Sequence, residues 1–346
     1  MTSSPAYHGN ETMTDTIYLK PVSSFLGEPP RSDTLFGAIC WAVKLTEGEA
    51  RLEELLARFS QTDPPFLLTS SFPAVSTDGD KLHFFPVPLT EPLDADPDNL
   101  EEFNWIKRVE NSEYTTEEVY SSILKGELDK ERIYHSGDYR ITSGYLYPKG
   151  SVDSETFPLF HDRNVQRTTV DRLTSGTHEG RLFYSEETRL REDTELFFLL
   201  DGPEEVLDSI RKGLRFLNDR GIGGDVSVGK GEFEVSIEGN FNPVDEPEDG
   251  DYFTNLSLFY PREENDRRFR ATDGDSWFRT ERRRGRLESS LVESEDVWKD
   301  AVIVYGEGSV FPDTGEAPYG KNPIVKREPF DVQYYGYGYP VRMKGE

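Results

Sequence analysis

The hydrophobic pattern divides the chain into short alternating strands and amphipathic helices. "TIYLKPV" (16–22) reads as a strand. "RSDTLFGAICWAVKL" follows, apolar nearly all round, which predicts a well-buried helix with Ser32 or Asp33 suited to cap it. "ARLEELLARF" sets Leu52, Leu55, Leu56 and Phe59 on one helical face. "PPFLLTSSFP" and "LHFFPVP" read as short strands, and the resulting β-α-β-β order suits a ferredoxin-like unit. Short helices are predicted around "LEEFNWIKRV" and "TTEEVYSSILKG", whereas 129–160 has few regular signals and reads as an excursion. A second β-α-β series begins at "GRLFYSEETRL" and "TELFFLLDG". It continues through a helix over 204–218, with Val206, Ile210, Leu214 and Leu217 at helical spacing, to "EFEVSIEG", where Phe233, Val235 and Ile237 alternate. "YFTNLSLFYP", "DAVIVYGEGSVFP" and "YYGYGYPVRM" add further β structure. The expected fold class is α+β with two ferredoxin-like domains, 16–160 with an acidic helical insertion and 185–346, after a loose tail over 1–15 in which Met13 is an alternative start.

Between the second helix and its strand lies "GIGGDVSVGKGEFEV". Residues 224–231 nearly spell the phosphate loop G-x-x-x-x-G-K-[ST], but Gly231 stands where the magnesium-binding hydroxyl belongs. The order is also helix, loop, strand, so no helix N-terminus meets a nucleotide phosphate. Gly221 suits a helix C-cap. That leaves Gly223, Gly224, Gly229 and Gly231, which let backbone N–H groups approach an extended phosphate backbone. The candidate RNA contacts are these glycines with Gly221, Ser227, Lys230 and Arg220, the two cations being the loop's natural phosphate partners. Ser32 and Thr34 at a helix N-terminus could hold a further phosphate.

Charge changes this picture. The net charge is −27, from 66 Asp+Glu against 26 Arg and 13 Lys. A carboxylate-rich, lysine-poor surface stays hydrated in concentrated salt, which points to the cytoplasm of a halophilic archaeon. The alternative is an acidic protein that avoids nucleic acid, so the distribution of charge has to decide. Arg262–Arg286 holds nine Arg and six acids, with Arg279, Arg282, Arg283, Arg284 and Arg286 beside Trp277 and Phe278. Arginine interleaved with aromatics suits single-stranded nucleic acid, and Arg282, Arg283 and Arg284 are candidate RNA contacts; a solvated hairpin or an acidic partner subunit are the alternatives. The second basic island, "HDRNVQRTTVDRLTSGTHEGRLFY", carries the candidate RNA contacts Arg163, Arg167, Thr168 and Arg172 on a polar hairpin with little core to bury, which needs a partner to order it; an exposed flap with ordinary salt bridges is the alternative.

The single cysteine, Cys40, excludes a disulfide framework and a cysteine-based zinc site. No apolar run has transmembrane length, and the N-terminus lacks the features of a secretion signal; a cytoplasmic protein with no membrane contact, metal or cofactor is expected. A metal-independent ribonuclease would need a general base, typically His. His8, His83, His135, His161 and His178 show no evident Lys or Tyr partner, and Asp33, a candidate for acid-based cleavage, fits a helix N-terminus equally well.

The helix–glycine loop–strand unit, the hairpin "RNVQRTTVDRLTSGTHEGRLFY" and the late "GEGSVFP" together resemble the RAMP superfamily of CRISPR proteins. "IYLKPVSSFLG", "SDTLFGAICWA" and "GRLESSLVE…VWKDAVIVYGEGSVFP" narrow the resemblance to the family of fourth subunits of the Csm (type III-A) effector complex, over Thr16 to Met343. The resemblance implies two ferredoxin-like (RRM-like) RAMP domains and a protruding thumb hairpin over 161–184. It also implies a non-enzymatic subunit that binds the repeat-derived 5′ handle of the CRISPR RNA and caps that end of the filament. The implied partners are the large polymerase-like subunit and the backbone RAMP subunit. A RAMP endoribonuclease that processes precursor RNA is the competing class.

Overall fold

The computed structural model describes residues 12–77, 79–93, 99–170, 177–224, 229–262, 276–287, 297–327 and 330–345, and only the backbone of 168–170, 177–183 and 219. Its centre is the strand Met13–Pro21. That strand pairs antiparallel with Thr194–Gly202 on one side (Ile17 opposite Phe198) and with Phe233–Glu238 on the other (Ile17 opposite Ile237). Thr194–Gly202 pairs in turn with Phe72–Thr77. The four strands therefore lie in the order 233–238, 13–21, 194–202, 72–77, and the helices Ser32–Glu47 and Glu204–Arg220 supply the crossovers. This is a ferredoxin-like sheet. All nine residues of Thr194–Gly202 are buried, as its unbroken apolar run requires of a central strand. The two helices approach closely enough that a β-carbon on Gly213 would lie 3.1 Å from that of Ala42.

The pairing crosses the boundary expected between 160 and 185. The two β-α-β series complete one ferredoxin-like sheet, with the second returning to both flanks of the first strand. Periodicity shows which segments are strands; it carries no information on which strands pair. The expected tail also ends earlier, because the first strand starts at Met13. Asp15 is fully buried, and its carboxylate accepts from Arg211 at 2.7 and 2.9 Å.

The sheet continues from Phe72–Thr77 through Asp80–Pro86, Tyr114–Thr116, Tyr145–Pro148 and Tyr139–Thr142. The excursion over 129–160 thus contains a helix, Lys130–Ser136, and a tight hairpin whose turn residues Ser143 and Gly144 both have positive φ. Such a turn matches the strand twist, but its pattern is only four residues long on each side. C-terminal to the main sheet, Tyr252–Asn255 pairs with Val310–Pro312 and Pro340–Met343, next to a ribbon of Thr280–Arg283 and Val302–Tyr305. Among the described residues, no helix is long and apolar enough to cross a membrane.

Candidate nucleic-acid interface

The glycine loop begins where Gly221 turns to φ +85° and its N–H closes on Leu217 O, ending the helix. Its two ends are tied together. Ile222 N–H donates to Gly231 O (2.8 Å) and Gly231 N–H to Ser24 O (3.0 Å). Gly231 has φ +67°, and a β-carbon there would sit 2.2 Å from Ile222 O, so this position builds the loop. Gly223 (φ +99°) and Gly229 (φ +76°) face open space, and Gly224 meets only the Leu26 side chain at 3.6 Å. These three leave the backbone accessible. Ser227 lies outside the described residues. Arg220 is the last residue of the helix and is half-buried.

The polar hairpin consists of Phe160–Val170 paired with Thr177–Leu190, and its base is held by Phe25–Leu26. Arg163 is exposed, Thr168 is described by its backbone alone, and Arg172 lies outside the described residues. Arg167 and Lys230 converge on Glu187, which is 3% exposed. Glu187 accepts from Lys230 Nζ at 2.8 Å, from Arg167 Nη2 at 3.0 Å and from the Ser24 hydroxyl at 2.8 Å. Lys230 Nζ also donates to Ser24 Oγ at 2.8 Å. Burial alone would raise the Glu187 carboxyl, but the hydrogen bonds from Lys230, Arg167 and Ser24 outweigh it and hold it at about 2. The structure therefore brings the glycine loop and the hairpin base to one junction. Neither Glu187 nor Ser24 carried a signal in the sequence, since only the folded register brings them together.

The remaining expected contacts lie elsewhere. Ser32 is fully buried; its Oγ accepts from Leu258 N–H (2.9 Å) and its own N–H donates to Ser70 Oγ (3.0 Å). It does not cap the helix, whose N-cap is Arg31. Thr34 donates to its neighbour Asp33 at 3.3 Å. The helix start is surrounded by carboxylates: Arg31 binds Glu281 and Glu307, and Asp33 accepts from Arg283 at 3.3 Å. Ser32 and Thr34 thus form no phosphate seat, and Arg283 points inward to Asp33. Strand alternation explains the difference from its neighbours. Glu281 and Arg283 face the helix, whereas Arg282 and Arg284 are exposed. Arg284 and Arg286 each stand 5.1 Å over the ring of Trp298, an exposed aromatic that no motif in the sequence marked.

One constellation escaped the sequence reading. His83 Nε2 is 2.9 Å from the Tyr18 hydroxyl, His83 Nδ1 is 2.6 Å from Glu117, and Lys81 Nζ stands 3.2 Å over the Tyr18 ring. The Tyr18 hydroxyl also donates to Glu238 at 3.0 Å, and burial, with Glu238 beside it, raises this phenol well above its ordinary range. His83 thus has a Tyr partner of the kind a ribonuclease base uses, while Lys81 lies over that Tyr ring and is ion-paired with Glu195 at 2.7 Å. His83 is only 3% exposed, however, and both ring nitrogens are engaged, so an RNA phosphate has no approach to it. His135 and His161 are exposed, His178 is described by its backbone alone, and His8 lies outside the described residues. Among the described residues, no group of three His, Cys, Asp or Glu side chains is placed to hold a metal.

A ferredoxin-like sheet with a glycine loop after its second helix and a hairpin rooted beside that loop defines a class. The RAMP superfamily model matches residues 31–234, and the chain belongs to that superfamily. Among curated proteins it is similar to the "CRISPR system Cms protein Csm4" of Thermococcus onnurineus, 30% identical over 217 residues, which cover 60% of this chain and 63% of that protein. A second relative of the same name, from Methanocaldococcus jannaschii, is 27% identical over 165 residues, 40% of this chain and 44% of that protein. The matches thus span less than two thirds of either relative. Two solved structures share the fold over 96% of this chain. They are a chain of a Csm3–Csm4 subcomplex of the type III-A CRISPR–Cas interference complex (TM-score 0.65, 18% identity, all of that chain) and a chain of a Csm1–Csm4 cassette in complex with pppApA (TM-score 0.60, 22% identity, 98% of that chain).

Proposed function

We propose that the chain is the CRISPR RNA-binding subunit of a type III-A (Csm) interference complex. It holds the repeat-derived 5′ handle at the junction of glycine loop and hairpin, and joins the large polymerase-like subunit to the backbone RAMP subunit in antiviral defence. The observation that carries this reading is the junction itself. Outward glycines at 223, 224 and 229 sit beside two cations at the root of a solvent-exposed hairpin. Open backbone amides backed by fixed positive charge suit a splayed single strand of RNA. The Csm3–Csm4 and Csm1–Csm4 assemblies of the structural relatives support the partners. On the ribbon, Arg282 and Arg284 with Trp298 form a second arginine–aromatic surface open to RNA or to a protein partner.

The burial of His83 favours a binding role over the endoribonuclease alternative. The isolated chain is accordingly expected to cleave no RNA, with or without magnesium or manganese. The test is purification of the tagged chain from its own cells at high salt, with sequencing of bound RNA and identification of bound proteins. Small RNAs sharing one 5′ end, together with a large subunit and a backbone subunit, are expected; a chain that emerges without RNA and without partners overturns the reading.

A further inference from the structure

Three separate elements end on one carboxylate. Glu187 belongs to the second hairpin strand, Arg167 to the first, Lys230 to the glycine loop and Ser24 to the segment after the first strand. Two cations face this one carboxylate. A buried carboxylate is costly to desolvate, and well-packed apolar residues of similar volume hold such a junction at least as well. What an apolar junction cannot do is fix the position of charges. The Lys230 ammonium donates to Glu187 and to Ser24, which sets its place and leaves its third N–H unassigned. A lysine so held has already lost most of its rotamer freedom before any ligand arrives.

We infer that Glu187 is a positioning residue for RNA: it holds Lys230 and Arg167 at set places beside the glycine loop, so that a phosphate backbone meets preorganised cations. This rests on the RNA-binding reading above. It also inverts the simplest electrostatic expectation, under which an acidic side chain at an RNA site only weakens binding.

The inversion gives a test by sign. The full chain and its E187Q variant are compared for binding of the small RNA that copurifies with the wild type, resynthesised and labelled. E187Q keeps the shape and raises the net charge by one. Positioning requires binding to weaken about fivefold or more, the scale of ordinary coupling between linked groups. Unchanged or tighter binding by a folded E187Q overturns the inference while leaving the RNA reading in place. Adding E187Q to K230A/R167A should cause little further loss; a full additional loss assigns Glu187 a general structural role and overturns the inference. If E187Q does not fold, Glu187→Asp, which keeps the charge but draws it back by one methylene, should show the same direction, and wild-type affinity there overturns the inference. Hydrogen exchange without RNA reads the loop independently. Exchange at Ile222 and Gly231 should be faster in the variant, and unchanged rates show that Glu187 does not hold the loop. A wild-type chain that binds no RNA, with these amides protected, sinks the RNA reading rather than the geometry of the node.

Discussion

Gly231 and Gly224 sit seven residues apart in one loop and serve different ends. At Gly231 any side chain requires a left-handed backbone and displaces Ile222 O, 2.2 Å from the β-carbon position. Gly231→Ala is expected to destabilise the chain by about 1–3 kcal/mol, measured by urea unfolding. Gly224→Val meets only Leu26. It should leave stability nearly unchanged and lower RNA retention; undiminished retention would assign Gly224 to packing alone. The run of five glycines was legible in the sequence as a place of close approach. Which glycines shape the loop and which expose it was not, because that depends on the tie to Ser24, some two hundred residues away in the chain. The same holds for Lys230, whose loop setting suggested a phosphate partner and whose ammonium lies against Glu187. The Glu187 carboxyl also sets a pH dependence. Its folded value, about 2, lies below the ordinary 4.5. Its stabilisation is therefore complete above pH about 4.5 and lost as pH falls toward 2. The stability difference between wild type and E187Q should shrink across that window, and a difference independent of pH would contradict the assignment.

The hairpin is a strand pair of unequal support. At its root, Glu187 and Thr188 pair with Leu26 and Phe25, and Phe160 packs against the core. Farther out, Asn164, Gln166 and Tyr184 are exposed, Tyr184 by 68%. Backbone hydrogen bonds without buried side chains open readily. Amides of 185–190 and of their partners 160–165 should thus be protected in the free chain, whereas those of 168–170 and 177–182, beyond the Arg167–Glu187 pair, should gain protection when RNA and partner subunits are added. Strong protection of both, unchanged on assembly, would make the hairpin a fixed part of the fold. Here the sequence spoke clearly: polar β-formers around a Ser-Gly turn read as a hairpin. The arginine-rich segment was legible only in outline. Composition marked it as unusual, but strand alternation decided that Arg282 and Arg284 face out while Arg283 closes on Asp33.

At the scale of the molecule, Thr194–Gly202 is an interior strand, paired with Met13–Pro21 on one side and Phe72–Thr77 on the other and followed directly by the helix Glu204–Arg220. Leu200, fully buried there, should cost about 2–5 kcal/mol when replaced by Ala, read as a shift in urea midpoint at constant slope. The β-α-β series were legible as such, and the superfamily match over 31–234 covers part of each, from after the first strand to the start of the last. Their assembly into one sheet was not, because strand pairing at long sequence separation leaves no local trace. That topology bears on how the chain is made. The strand Met13–Pro21 leaves the ribosome well before the segments that satisfy its two hydrogen-bonding edges, 194–202 and 233–238, which follow it only after a long stretch of chain. At ordinary synthesis rates the wait is roughly 10–40 s. Throughout that time a largely apolar strand offers both edges to any other nascent chain. The topology therefore predicts a need for shielding during translation, in an interval that closes only when the far edge strand has cleared the exit tunnel.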